Sequence, residues 1–278
     1  MKNKILIYID SKPIDISNSP SIFLISGPCV VESERLALSI AARIKEISQK
    51  IKIPFIFKSS YKKANRTSGS SFRSIGVQKS LDILAKVRTV LNIPVLTDVH
   101  SELEASIAAD YVDVLQIPAF LSRQTELLEA AGETGKIINI KKGQFLSPED
   151  MIHQIKKIES TGNKKILVTE RGTSFGYHNL VVDMRSLPIL TKFNYPVVFD
   201  ATHSLQLPSG YKGISGGTPE FIFPLARAAA GSGINGIFIE THPQPSKALS
   251  DSKSMLPLNK LEALLKQVVA IHSLVKNY

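Results

Sequence analysis

Short β-branched runs recur eight times along this chain, each closing on polar residues and followed by a stretch of helical character. They are IFLIS (22–26), PFIFK (54–58), PVLTD (94–98), VDVLQ (112–116), KIINI (136–140), KILVTE (165–170), PVVFD (196–200) and GIFIE (236–240). Runs that are apolar on both faces suit buried parallel strands. Between them, amphipathic segments such as 33–49, 77–91, 122–131, 148–160 and 219–231 predict helices. A last one, 258–275, repeats apolar residues at three- and four-residue spacing. Eight strand–helix units in about 250 residues predict an α/β fold, a closed (β/α)8 TIM barrel. A doubly wound open sheet is the competitor, but it normally carries a Gly-rich phosphate loop after an early strand, and this chain has none.

All 278 residues are then expected to form one barrel domain. Residues 1–20, broken at Ser-Lys-Pro, read as a short N-terminal β-hairpin extension that plugs the barrel bottom. Two connections, 203–217 and 241–257, are rich in Gly, Ser and Pro and longer than closure requires. They are expected to be long active-site loops, because they follow strands seven and eight on the face where barrel enzymes keep their chemistry.

Hydrophobic residues make up 43% and charged residues 21%, which excludes disorder. The single cysteine, Cys29, excludes an intramolecular disulfide and fits a reducing cytoplasm. Asp10, Ser11 and Lys12 cut the N-terminal apolar run too short for a signal, and no run of about 18 apolar residues predicts a membrane span. Lys and Arg exceed Asp and Glu, 34 against 24, a balance of +10 that favours anionic partners. The basic residues are scattered, with no Arg-rich tract and no zinc-finger or RNA-binding signature. Charge alone does not choose between nucleic acid, an acidic membrane and phosphorylated metabolites; with the strand-end residues below, a small-molecule substrate is expected, and neither nucleic acid nor membrane.

The C-terminal ends of the eight runs carry Cys29, Lys58, Asp98, Gln116, Lys141, Glu170–Arg171, Asp200 with His203, and Glu240 with His242. Each ionisable group there costs desolvation unless it is paired. Scaffolding ion pairs account for one or two strands but not for eight, so a catalytic rim is expected. Lys58, Lys63, Arg66, Lys141 and Arg171, with Arg123 on the fourth loop, form a basic subset suited to phosphate and carboxylate oxygens. A Schiff-base lysine is the alternative use of such residues. Cys29, His203, Glu240 and Asp251 form a mixed soft and hard donor set that suits Zn, Fe, Mn or Co. A lone Cys is more often a small core residue and a lone His a satisfied hydrogen bonder, so the residues alone leave the metal open.

The same residues sit in long motifs: ISGPCVVES (25–33), FKSSYKKANRTS (57–68), LTDVH (96–100), QIPAFLSRQTELL (116–128), INIKKGQFLSP (138–148), TERGTSFGYHNLVVDMRSLP (169–188), FDATHSLQLP (199–208) and FIETHPQPSKALSD (238–251). In these the chain closely resembles the 3-deoxy-D-manno-octulosonate 8-phosphate synthase family, over almost its whole length. The resemblance implies condensation of phosphoenolpyruvate with D-arabinose 5-phosphate and water, with release of phosphate, for lipopolysaccharide biosynthesis. It also implies a homotetramer. Carried over by position, Lys58, Ser60, Lys63, Gln116, Ala119, Lys141, Arg171 and His203 would hold the phosphate and carboxylate of phosphoenolpyruvate. Asn65, Arg66 and Thr67, with Arg123 reaching in from a neighbouring subunit, would hold the aldose phosphate, and Asp98 its hydroxyls. In the implied reaction, C3 of phosphoenolpyruvate attacks the aldehyde carbon while water adds to C2.

A cysteine in GPCVVES marks the metal-dependent class of that family, where the other class has Asn. Cys29 therefore implies a divalent metal ion, with His203, Glu240 and Asp251 as the other ligands. The chain departs from the family's usual SFDKANRSS: Lys62 stands in place of an Asp and Thr67 in place of a Ser. The following GSSFRSIG (69–76) is also atypical, which bears on the aldose-phosphate pocket. The nearest rival is 3-deoxy-D-arabino-heptulosonate 7-phosphate synthase, which takes erythrose 4-phosphate and typically has a Pro-Arg-Thr-type motif where this chain has KANRTS.

Overall fold

The structure, a computed structural model, describes residues 4–64, 72–211 and 214–276. Eight parallel strands close on themselves: Phe23–Gly27, Phe55–Lys58, Val95–Asp98, Val114–Ile117, Ile137–Lys141, Ile166–Glu170, Val197–Asp200 and Gly236–His242. Each pairs with the next in chain order, and Gly236–His242 pairs with both Phe23–Gly27 and Val197–Asp200, which completes the barrel. Every predicted run is a strand, displaced by one or two residues at its ends. Among the described residues no helix is long and apolar enough to cross a membrane.

The helices are α1 (Glu34–Ile51), α2 (Val77–Leu91), α3 (Glu102–Ala109), α4 (Thr125–Glu133), α5 (Met151–Glu159), α6 (Ser186–Thr191), α7 (Ile222–Gly231) and α8 (Leu261–Lys276). Helix α1 shows why they form where they do. Ser33 caps its first turn by accepting from the Leu36 amide, and Ala37, Ile40, Ala41, Ile44 and Ile47 bury one face. The apolar stripes of the helices and the outward strand residues form one large core around the barrel.

A second, smaller core fills the barrel interior. Phe23, Ile25, Ile56, Leu96, Val114, Ile137, Leu167, Val198 and Phe238 form its floor. The N-terminal hairpin pairs Leu6–Ile9 with Lys12–Asp15, and Ile5, Ile7 and Ile16 pack into this same cluster. It plugs the barrel as expected.

The two long connections are more ordered than a loop reading implies. Gln206–Tyr211 and Ile214–Gly217 pair as an antiparallel hairpin. Leu256–Pro257 adds in parallel to the end of the eighth strand, and the Thr241 hydroxyl donates to the Leu256 carbonyl at 2.7 Å. A side chain at Gly217 would meet Ser254 Oγ at 2.5 Å and the Lys253 carbonyl at 2.9 Å, so the two segments lie against each other. Gly, Ser and Pro here permit close backbone approach, which composition alone does not separate from irregular loop.

Candidate active site

Side chains alternate across a strand, so each inward apolar residue of the floor is followed two positions later by another inward residue. On this barrel that second layer is polar almost throughout. Ile56 is followed by Lys58, Leu96 by Asp98, Val114 by Gln116, Ile137 by Asn139 and then Lys141, Leu167 by Thr169, Val198 by Asp200 and Phe238 by Glu240. Period-two patterning thus builds an apolar floor beneath a charged layer at the C-terminal mouth.

One half of that layer is a relay of hydrogen bonds. The Thr169 hydroxyl donates to Asn139 Oδ1 at 2.6 Å, and Asn139 Nδ2 donates to Gln116 Oε1 at 2.9 Å. Gln116 Nε2 and the Ser60 hydroxyl both donate to the Asp98 carboxylate, and Lys63 Nζ donates to Ser60 Oγ at 2.9 Å. Burial alone would raise the Asp98 pKa, but Lys58, Lys63 and Lys141 outweigh it and hold the group below the usual carboxylate range.

The other half is built from ion pairs. Lys58 Nζ meets Glu240 Oε1 at 2.6 Å, and Lys141 Nζ meets Asp200 Oδ2 at 2.7 Å. Burial opposes ionisation of Glu240, yet Lys58, His203 and Lys63 bring its pKa down to about 2. Lys141 is pushed down by burial, against the pull of Asp200. Phe238 supports both lysines from below, with Lys141 Nζ 3.9 Å and Lys58 Nζ 5.5 Å from its ring centre. Arg171 is buried; its Nη2 donates to Gln206 Oε1 at 3.1 Å, while Nη1 has no partner among the described residues. A buried guanidinium left half-bonded is a ready seat for an anion.

Cys29, Glu240 and Asp251 bring one donor atom each to within 4.8 Å of one another. Cys29 Sγ lies 2.8 Å from Asp251 Oδ2 and 2.9 Å from Ser250 Oγ. Burial, then the charges of Asp251 and Glu240, push the thiol pKa well up, so Cys29 is protonated in this arrangement. Glu240 Oε2 is buried without a hydrogen-bond partner among the described residues. His203 stands outside this trio, with Nε2 3.6 Å from Glu240 Oε1 and Nδ1 2.8 Å from Asp200 Oδ2. A carboxylate behind Nδ1 leaves Nε2 facing the cluster, the arrangement usual for a ligating histidine.

Residues 6–277 match the model of the DAHP synthetase I family. The chain belongs to that family. It is 55% identical over 268 residues to a 2-dehydro-3-deoxyphosphooctonate aldolase of Methylibium petroleiphilum, covering 94% of both chains. A protein of the same name from Dichelobacter nodosus is 54% identical over 262 residues, covering 94% of this chain and 95% of its own. Another, from Geobacter metallireducens, is 52% identical over 263 residues, covering 95% and 97%. The family description mentions only the DAHP enzyme; the names of these relatives favour the octonate enzyme over the heptulosonate rival.

Within this member of the DAHP synthetase I family, Lys58, Ser60, Lys63, Asp98, Gln116, Lys141, Arg171 and His203 converge on one mouth through the contacts described above. Ala119 is buried in a 3-10 turn (Ala119–Leu121) just beyond the fourth strand. Arg123 is exposed, and its carbonyl accepts from Lys157 Nζ at 3.0 Å. Asn65, Arg66 and Thr67 lie outside the described residues.

Glu170 departs from the sequence reading of a converging rim. It follows the inward Thr169, so alternation turns it outward, where it pairs with buried Lys142 at 3.5 Å and accepts from the Gly172 amide at 2.7 Å. Sequence reasoning passed over Asn139, Thr169 and Phe238. Their signal was their position, two residues before or level with the charged ends, and not their chemistry.

Proposed function

We propose that this mouth condenses phosphoenolpyruvate with D-arabinose 5-phosphate and water to give 3-deoxy-D-manno-octulosonate 8-phosphate and phosphate, a step of lipopolysaccharide biosynthesis. The observation that carries it is the convergence of Lys58, Lys63, Lys141 and buried, half-bonded Arg171 on one polar layer. That cation count suits the phosphate and carboxylate of phosphoenolpyruvate, and the relatives' names point to the same chemistry.

In this reading Lys58, Ser60, Lys63, Gln116, Ala119, Lys141, Arg171 and His203 hold phosphoenolpyruvate with C3 facing the second substrate. Asp98 accepts hydrogen bonds from aldose hydroxyls. Asn65, Arg66 and Thr67 bind the aldose phosphate, with Arg123 supplied by a neighbouring copy in a homotetramer. The new C–C bond joins C3 to the aldehyde carbon, and water supplies the oxygen that becomes the ketone at C2. The C2–O bond to phosphate then breaks. Fixed cations stabilise charge as it develops on the carboxylate and the departing phosphate.

The donors at Cys29, Glu240 and Asp251 fit a divalent metal, because a soft sulfur and two carboxylates, one of them with an oxygen left unpartnered among the described residues, lie within 4.8 Å of one another. His203 Nε2 is the fourth donor. When bound there, Zn, Fe, Mn or Co supplies a Lewis acid beside the reacting groups.

Phosphate release from phosphoenolpyruvate tests the reading. Release with arabinose 5-phosphate, and little with erythrose 4-phosphate, is expected. The reverse preference would transfer the chain to the heptulosonate reaction. Release that is unaffected by chelator would keep the reaction and remove the metal.

A further inference from the structure

Lys62 stands where the resembling family usually has an Asp, and the structure shows what answers the reversed charge. Glu104, in the first turn of α3, gathers four donors on one carboxylate. The Tyr61 hydroxyl donates to its Oε2 at 2.5 Å, His100 approaches with its amide at 3.0 Å and with Nδ1 at 2.8 Å, and Lys62 Nζ pairs with Oε1. The side chain is 18% exposed, and Lys62 Nζ also sits 6.0 Å from the Tyr61 ring centre.

Part of this cluster has a local explanation. Ser101 caps α3 by accepting from the Glu104 amide at 3.3 Å, and a Glu three residues after such a cap commonly reaches back to the chain before the helix. Such a cap explains why Glu104 turns back toward the His100 amide, but not its bond to the His100 imidazole. Nor does it account for the bonds to Tyr61 and Lys62, which come from the loop after the second strand.

Those two residues lie next to Lys63, whose Nζ holds Ser60 Oγ, which in turn holds Asp98. His100 lies two residues beyond Asp98 on the third strand's exit. Glu104 therefore ties the exits of strands two and three together on either side of Asp98. Tyr61 is held from the other end as well, its amide donating to Thr97 Oγ1 at 3.2 Å.

We infer that Glu104, through Lys62 and Tyr61, is a positioning residue for the aldose substrate, setting where Asp98 stands relative to Lys63. This rests on the synthase reading above. Ser60 and Lys63 of this corner also hold phosphoenolpyruvate, but strands four, five, six and seven hold it as well, so the larger effect of a shifted corner falls on the aldose. Asp98 is held by Ser60 from this corner and by Gln116 from the fourth strand, so a shift of the corner alters the Ser60 side of its hydrogen bonding.

Steady-state kinetics of the full-length enzyme test the inference, with the wild type assayed first. If the wild type releases no phosphate with arabinose 5-phosphate, the reaction assignment falls, and the inference with it. With an active wild type, Lys62→Met is expected to raise KM for arabinose 5-phosphate about fivefold and to change KM for phosphoenolpyruvate less than twofold. Lys62→Arg is expected to restore the wild-type value. Because Lys62→Met leaves the Ser101 cap intact, the readout does not depend on helix stability. Glu104→Gln is expected to show the same one-sided KM effect, larger than that of Lys62→Met. Unchanged KM values in a folded Lys62→Met enzyme, or equal rises for both substrates, would overturn the inference.

Discussion

Lys58 and Glu240, from the second and eighth barrel strands, form a 2.6 Å ion pair in which each side chain is 1% exposed. It spans the seam where the first strand lies between them, and Lys58 Nζ also reaches the Cys29 carbonyl at 3.3 Å. The pair joins the lysine-rich side of the mouth to the candidate metal side. Burial alone would lower the Lys58 pKa, but Glu240 and Asp98 raise it above the ordinary lysine value, so the charge persists.

Removing one partner of a buried pair strands the other charge, at about 3–5 kcal/mol. Glu240→Ala is therefore expected to destabilise the fold by about that amount, measured as urea-unfolding free energy at neutral pH. The double variant Glu240→Ala/Lys58→Met, with no charge left to strand, is expected to recover part of the loss. A single variant as stable as the wild type would show that water or another group compensates Lys58.

Asp200 faces His203 Nδ1 at 2.8 Å, and an orienting carboxylate behind a metal-binding histidine is typically worth about 10–100-fold in metal affinity. Asp200→Asn is expected to weaken divalent-metal binding by that factor, read by competition with a metal-sensing dye. Cys29→Ala should weaken it at least as much. If Cys29→Ala acts and Asp200→Asn does not, His203 is not a ligand and the site is the Cys29, Glu240, Asp251 trio.

Gly27 closes the first strand against the second. A β-carbon there would lie 2.1 Å from the Lys58 carbonyl oxygen, a backbone atom that cannot swing aside. Gly27→Ala must displace the strand bearing Lys58, and overpacking of this kind costs about 1–3 kcal/mol or more. A lowered melting temperature and a raised KM for phosphoenolpyruvate are expected together. An unchanged KM would mean that the strand yields without moving Lys58.

Burial raises the pKa of Glu104, but hydrogen bonds from His100, Lys62 and Tyr61 outweigh it and bring it from 4.5 to about 2. Its folded value lies below its unfolded one, so its stabilisation is complete above about pH 4.5 and is lost as pH falls through about 2. The stability gap between the wild type and Glu104→Gln is expected to be constant from neutral pH to about pH 5 and to narrow below 4.5. Urea unfolding across that range measures it. A gap that widens on acidification would have the wrong sign for a carboxylate held ionised.

Much of the site could be read from the residues because charged side chains at strand ends are conspicuous. Lys58, Asp98 and Glu240 follow inward apolar positions by two, and Lys141 follows Ile137 by four, so each shares the phase of the barrel floor. Asn139 and Thr169 carry no such mark. Neutral polar residues inside an apolar run become meaningful only once the phase of the strand is known. Glu170 shows the converse, a charged strand end that faces outward.

The sequence by itself determined the barrel, its hairpin and the polarity of its mouth, since these follow from local features: eight apolar runs alternating with amphipathic segments, the Ser-Lys-Pro break, and polar residues at the ends of the runs. Tertiary structure decided the rest. Within the 203–217 and 241–257 connections it paired Gln206–Tyr211 with Ile214–Gly217 and added Leu256–Pro257 to the eighth strand, and it answered Lys62 with Glu104 and Lys58 with Glu240. Such pairings join side chains distant in the chain, and in a buried pair such as Lys58 and Glu240 an ionised group persists only beside its partner. Local pattern records that a charge is present; only the closed barrel determines which charge it meets.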